Sequence, residues 1–509
     1  MAADQTTKTP RRTINAKLTP AREGGTAARP DTAPETPKPT PEQVAAWQGL
    51  QPDQRMALRE REAVRMFGDA LGHHNKGELE EAARLYGQAL TLNPNLPDIY
   101  NNLGVALRAL GKLEASAACY YRTLGLNPDN AGAYTNLGNV LRQMGRLDAA
   151  AASHRRAVEL DPDSADANYN LALVLRDIGE TSEALIYFAK VQAMAPDHTG
   201  GHFDRALTLL QNGELKEGFE EYEWRWKLDG NPPRAYEQPQ WDGAALGGKT
   251  ILLHSEQGFG DMIQFARYIP LVKERGGTIV IEAQPELSRL FSTIEGVGQV
   301  VNAGADLPRF DVWAPMMSLA RIFETTLDTV PASVPYLSPP DAAAGQLPAT
   351  LSTQLKVGIA WAGSAGHQND ARRSCPFSHF TELMGLPDVV LYSLQTGRAA
   401  GDIAANGCQA FVTDMSAKMG DFADTAAIVS HLDLIISVDT SIAHLAGAMG
   451  KPVWVALPHP GDWRWMQDGD TSPWYPAMRL FRQPAPGDWA GVFEGLKAAL
   501  SVEAGGRSA

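Results

Sequence analysis

Cysteine is scarce: the 509 residues contain only Cys119, Cys375 and Cys408, with no close pair. That excludes a disulfide framework and a clustered zinc site, and it fits a reducing compartment, so a cytoplasmic location is expected. No apolar run reaches the ~20 residues of a membrane span, and no hydrophobic signal core stands near the N-terminus. No basic block occurs either, with 45 Lys and Arg against 59 Asp and Glu. That balance argues against a nucleic-acid partner and leaves anion binding to a locally basic cleft. Residues 1–46 lack aromatics altogether and hold seven prolines, a composition that cannot bury enough surface to offset chain entropy. A disordered arm is expected there. The remaining length exceeds what one core serves, so two or three folding units are expected in it.

What is present begins with a period. Pro94, Pro128, Pro162 and Pro196 stand 34 residues apart, and Asn102, Asn136 and Asn170 keep the same interval. Within one period Tyr100, Leu103, Leu107 and Leu110 recur at helical spacing, Gly111 breaks the chain, and a second helix runs from Leu113 toward Asn127-Pro128. Residues 53–230 are therefore read as stacked helical hairpins, and they resemble the tetratricopeptide family. Such arrays form a superhelical surface that holds another polypeptide. The segment Gly213 to Trp226, with Phe219, Tyr222, Trp224 and Trp226, reads as an atypical last repeat whose aromatics pack onto the adjoining C-terminal region.

Beyond the turn-rich residues 231–248 the period changes. Short β-branched runs at Thr250 to His254, Thr278 to Glu282 and Gln299 to Asn302 alternate with helical segments, and a proline-dense linker occupies Pro331 to Pro348. A second alternation has strands at Lys356 to Trp361, Val389 to Leu394 and Leu434 to Val438. The expected fold class is α + α/β: a repeat solenoid, then two parallel-sheet lobes at 249–335 and 336–502 facing a cleft.

Three segments are candidates for chemistry. In LDLIISVDTSIAHLAGAMGKPVWVAL a strand runs into Asp439, Thr440 and Ser441, which open a helix bearing His444. Unpaired amides and the dipole at such a helix start can take a phosphate, with the hydroxyls of Thr440 and Ser441 assisting. A plain N-cap and a packed histidine would account for the same residues. In HSEQGFGD a strand ends at His254, and Asp261 opens the next helix as a base or as a cap. In WAGSAGHQNDARRSCPF, Gly363 allows close backbone approach, and Arg372 and Arg373 offer cationic forks suited to a phosphate leaving group. Gln395, closing another strand, could read a base or ribose. Trp463, Trp465 and Trp474 are packing residues or cleft walls, and Asp424 caps a helix or touches a ligand.

The order of these motifs resembles the heptosyltransferase-like glycosyltransferases of the two-lobed GT-B type. With the repeats in front, the chain is similar to bacterial tetratricopeptide glycosyltransferases, among them those that modify flagellin. The resemblance implies transfer of a sugar from a nucleotide-activated donor, a cytidine-monophosphate nonulosonate among the options, to Ser or Thr of a protein held by the repeats. It implies Asp261 as general base, Asp439 at sugar hydroxyls, Thr440 and Ser441 at the donor phosphate, and His444 supporting that pocket. Asn102, Asn136 and Asn170 would form a ladder pairing with an extended peptide, unless they serve only the repeat itself. No Asp-x-Asp motif stands in a suitable loop, so a metal-independent, inverting transfer without a resident cofactor is expected. Two alternatives stay open: a lipid or polysaccharide acceptor, and a non-catalytic adaptor or chaperone with a degenerate transferase fold.

Overall fold

A computed structural model describes residues 50–506 except 342–346, 349–350, 352, 365 and 367–369. The arm expected at 1–46 lies outside the described residues. The chain divides into two compact units at Asn170/Leu171.

The first unit contains helices α1 (Pro52–Asn75), α2 (Leu79–Leu92), α3 (Pro97–Ala109), α4 (Leu113–Leu126), α5 (Ala131–Gln143), α6 (Leu147–Leu160) and the start of α7 (Ala165–Ile178). The helices of each hairpin part at a glycine in the left-handed region, Gly111 at φ 73° and Gly145 at φ 74°, a conformation that a Cβ would strain. Pro94 and Pro128 fall in the turns between hairpins, where no amide donor is needed.

Two of the hairpins pack a glycine of the first helix against a ring of the second. A Cβ at Gly104 would lie 2.8 Å from the Tyr120 ring, and one at Gly138 would lie 2.5 Å from that of His154. Tyr86, Tyr120, His154, Phe188 and Tyr222 recur at the repeat interval, and all are buried.

His154 departs from this series because neither of its ring nitrogens has a hydrogen-bond partner. Burial, with help from Arg142, pushes its pKa down to about 4. The unfolded chain therefore binds a proton that the folded chain refuses. The stability linked to the neutral ring is intact above about pH 6.5 and lost as pH falls toward 4, about 2 kcal/mol of it by pH 5. His154→Phe fills the same space as Tyr120 does against Gly104. It is expected to raise the melting temperature at about pH 5 while changing it little at about pH 7.5, as circular-dichroism melts at the two pH values would report.

The second unit opens with the rest of α7 from Leu171 and continues with α8 (Thr181–Met194), α9 (Thr199–Gln211) and α10 (Leu215–Tyr222), which lead into a 3-10 turn, Glu223–Lys227. Two parallel sheets come next. The first lobe contains β1 (Thr250–His254), β2 (Thr278–Ala283), β3 (Val297–Asn302) and β4 (Val312–Pro315) in the order β3-β2-β1-β4. The second contains β5 (Leu355–Ala360), β6 (Val389–Ser393), β7 (Val412–Asp414), β8 (Leu434–Val438), β9 (Val453–Leu457) and β10 (Met478–Arg482) in the order β10-β9-β8-β5-β6-β7. That order is the doubly wound one, with the turnabout between β5 and β8. A repeat solenoid followed by two Rossmann-like lobes is thus the architecture, as its α + α/β pattern implies.

Why the compact unit begins before the sheets is visible in its core. Phe219 meets Phe265, Trp463 and Trp474 edge to face, at ring separations of 6.0, 5.7 and 6.4 Å. One hydrophobic cluster runs from Phe219 and Tyr222 through Met262 and Phe265 to Ile435, Val453 and Trp474. The expected boundary near residue 230 therefore does not coincide with a break in packing, because the final hairpin's aromatics bury themselves in the interior of both lobes. No helix of the described residues is long and apolar enough to cross a membrane.

Candidate active site

The strand order of the second sheet reverses between β5 and β8, and the carboxyl ends of strands at such a reversal are the usual place for a ligand crevice. β8 ends at Val438, and Asp439 and Thr440 lead into α14 (Ser441–Ala448), to be read with α11 (Phe259–Phe265), α12 (Pro285–Phe291) and α13 (Phe422–Ser430). Thr440 is the N-cap in extended conformation, yet its side chain does not cap the helix. Its hydroxyl bonds to that of Ser437 at 2.9 Å. The opening turn of α14, starting at Ser441, is thus left without a side-chain cap at the positive end of the dipole. His444 is buried one turn along, sharing a 2.9 Å hydrogen bond between Nδ1 and the Tyr475 hydroxyl and stacking on Trp465 at 5.2 Å. Burial, then the charges of Arg464, Arg267 and Arg373, hold its pKa well below the usual range, so the ring is neutral.

The first lobe reaches the same place. Asp261, in the first turn of α11, accepts the Gly258 N–H at 3.1 Å and so caps its own helix. Its other oxygen pairs with Arg464 from the second lobe. A Cβ at Gly260 would come within 2.9 Å of His444 Cδ2 and 3.5 Å of Ser441 Cα. Glycine at 260 is what lets the two helix starts close on each other, and it brings Asp261 and the Asp439 turn into one neighbourhood.

Arg464 organises this neighbourhood. Its Nε donates to Gln264 Oε1 at 2.8 Å, its Nη1 donates to Asp462 at 2.8 Å, and its guanidinium lies 4.2 Å from the Trp463 ring centre. The half-buried Asp439 feels the same charges. Burial foremost, and Asp462 next, push its pKa up to about 6 against the pull of Arg464 and Arg373. The Trp465 indole lies beside that carboxyl, though its buried Nε1 has no partner in hydrogen-bond geometry.

The loop after β5 completes the arrangement. Gly363 approaches Arg373 so closely that a Cβ would meet Nη2 at 2.5 Å. The Gly363 N–H donates to Ser374 Oγ at 3.0 Å, and Ser374 Oγ donates to Asp370 at 2.9 Å. Arg373 Nε stands 3.5 Å from Asp370 and has no hydrogen-bond partner, so this guanidinium retains donor capacity beside the crevice.

Several expectations are corrected. Gln395 cannot read a base or ribose, because its amide is spent on backbone: Oε1 accepts from Trp361 N at 3.0 Å and Ala362 N at 2.9 Å, while Nε2 donates to Ala362 O at 3.1 Å and Thr396 O at 3.2 Å. It shapes the Gly363 loop instead. Arg372 is exposed, and only Arg373 of the pair turns toward Asp439. Trp463, Trp465 and Trp474 are buried packing residues. Asp421, rather than Asp424, caps α13, accepting from Ala423 N at 2.9 Å and Asp424 N at 3.0 Å. Nor is the crevice simply electropositive: the described Asp261, Asp439, Asp462 and Asp370 face Arg464 and Arg373.

The asparagine ladder is engaged within the repeats. Asn102 and Asn170 donate to the carbonyls of Asp98 and Asp166 on their own helices at 2.8 and 2.7 Å, and Asn136 donates to Asn101 Oδ1 at 3.3 Å. One amide donor of each therefore serves the solenoid, which leaves the second N–H and the side-chain oxygen as the groups with capacity for a peptide. Sequence reasoning did not single out Arg464, although an arginine between tryptophans in Asp462 to Trp465 is a signal. Nothing local announces the Tyr475 partner of His444. Among the described residues, no cluster of His, Cys, Asp or Glu is placed to hold a metal ion.

Comparison with known proteins finds relatives of both parts of the chain. Residues 73–107, 106–145 and 138–179 match the TPR repeat family, and residues 165–198 match the tetratricopeptide repeat family. Residues 388–460, which include β8, Asp439 and His444, match glycosyltransferase family 9 (heptosyltransferase). Protein FlbA of Caulobacter vibrioides is 28% identical over 301 residues, covering 54% of this chain and 50% of that protein. The chain thus spans about half the length of this curated relative. Among solved structures, MamA is 24% identical with a TM-score of 0.29, covering 30% of this chain and 91% of MamA. YrrB, described as a TPR protein with an unusual peptide-binding site, is 20% identical with a TM-score of 0.31, covering 35% of this chain and 93% of its own. The chain joins tetratricopeptide repeats to a glycosyltransferase family 9 region.

Proposed function

We propose that the chain is a protein O-glycosyltransferase that moves a sugar from a nucleotide-activated donor to Ser or Thr of a polypeptide engaged by its repeats. The observation that carries this reading is the meeting of the Asp261 helix start with the Asp439–His444 turn, which itself lies within residues 388–460 that match family 9. The uncapped start of α14 and the Arg373 guanidinium would receive the donor phosphates, and Asp439 would accept from sugar hydroxyls. In the reaction the acceptor oxygen bonds to the anomeric carbon as the carbon–phosphate oxygen bond breaks. The electron pair leaves on the phosphate, and the acceptor proton passes to Asp261. Arg373 and the α14 amides stabilise the departing charge in place, which supports an inverting, metal-independent course.

Flagellin is a reasonable first acceptor to try, and a cytidine-monophosphate sugar a reasonable first donor. The test is a panel of nucleotide sugars incubated with the chain and candidate acceptor proteins, read by intact-protein mass spectrometry with and without a chelator. Sugar-sized mass gain on a protein, unchanged by the chelator, is the expected result. Sugar recovered only in lipid or polysaccharide, or donor left untouched across the panel, contradicts it.

A further inference from the structure

The first lobe has its own turnabout, between β1 and β4, where a ligand crevice would ordinarily open. That place is filled by a residue from the end of the repeats. Arg225, in the 3-10 turn after α10, is fully buried. Its Nε donates to Glu256, two residues past β1, at 2.8 Å, and its Nη2 donates to Ser318, three residues past β4, at 2.8 Å. Nη1 donates to Glu223 at 2.7 Å, and Ser318 donates to the same carboxylate at 2.8 Å. Glu256 is held from the other side by the Met317 N–H at 3.0 Å. One turn earlier, the Tyr222 hydroxyl shares a hydrogen bond with Gln257 at 3.1 Å.

Glu256 and Gln257 belong to the short loop that ends at Gly258, whose amide Asp261 caps. Resting on the transferase reading above, we infer that the last repeat plugs the first lobe's crevice and thereby fixes the Asp261 loop, with Arg225 as a positioning residue. The repeats are then part of the reaction centre's framework as well as a surface for the acceptor.

The test uses the full chain with Arg225→Met and Glu256→Gln. Tyr222→Phe serves as the milder variant, because it removes only the hydroxyl contact. Hydrogen exchange is followed in peptides covering 255–262 and 439–448, together with donor KM and kcat. Exchange in 255–262 is expected to rise roughly tenfold with 439–448 unchanged. The kcat should fall about 100-fold with donor KM held within about twofold, and Tyr222→Phe should lie between wild type and the others. Should Arg225→Met fail to fold, Glu256→Gln and Tyr222→Phe decide the matter. Unaltered exchange in 255–262, or a loosened loop with undiminished kcat, overturns the inference. If the wild type turns over no donor, the transferase reading fails, and the exchange pattern alone decides whether Arg225 holds the loop.

Discussion

Asp261→Asn is expected to lower kcat for sugar transfer by about 100- to 10,000-fold, the usual worth of a positioned general base. Nucleotide-sugar affinity should stay close to that of the wild type. The reasoning is geometric. Asp261 stands where the first lobe touches the Asp439 turn, and its two oxygens are aimed by the Gly258 N–H and by Arg464. Asparagine keeps the size and one acceptor, so the helix cap and the pairing with Arg464 compete for a single oxygen, a modest stability cost of about 1 kcal/mol. Capacity to take a proton is what disappears. Asp439→Asn separates the two carboxyls. With its pKa up at about 6, Asp439 is ionised at neutral pH and becomes protonated as pH falls through that value. Wild-type kcat/KM should therefore decline below about pH 6, and Asp439→Asn should weaken donor binding and lose that limb. Retained turnover in Asp261→Asn would remove it from the role of base.

The second large effect is expected at Arg464. This guanidinium pairs with Asp261 of the first lobe and Asp462 of its own, and it bonds Gln264 on α11. Arg464→Met would leave two carboxylates beside Asp439 without their counter-charge. Breaking a buried pair by removing one partner costs about 3–5 kcal/mol, because the stranded charge stays desolvated. Urea unfolding of the α/β unit should register the loss. The same change removes a charge that favours ionised Asp439, so the acid limb of activity should move to higher pH. Lysine is not expected to rescue, since its three donors radiate from one nitrogen, whereas Asp261, Asp462 and Gln264 are met by three different nitrogens of a planar fork. Full stability in Arg464→Met would mean that the contact between the lobes rests on packing alone.

How far the sequence could be read depended on whether a feature was local. The 34-residue period, the glycine turns and strands such as Thr250–His254 and Leu434–Val438 are short-range patterns, and the structure has them. The strands Met478–Arg482, Val412–Asp414 and Val312–Pro315 escaped notice, being too short for a strand period to declare itself. The strand, polar turn and helix that hold Asp439, Thr440, Ser441 and His444 were legible because they succeed one another directly. Gln395 was misread for the opposite reason. An amide at a strand end looks the same in sequence whether it faces a ligand or, as here, the backbone 33 and 34 residues earlier. Arg464 and Arg225 lie 203 and 31 residues from the carboxylates they hold, Asp261 and Glu256, so no spacing rule could pair them.

The most direct test is difference hydrogen exchange on the wild-type chain, with and without a nucleotide sugar that raises its melting temperature. A donor bound across the two lobes should slow exchange together in 255–262 and in 439–445. Protection confined to one of these segments, or to neither, would contradict a reaction centre shared between Asp261 and the Asp439 turn.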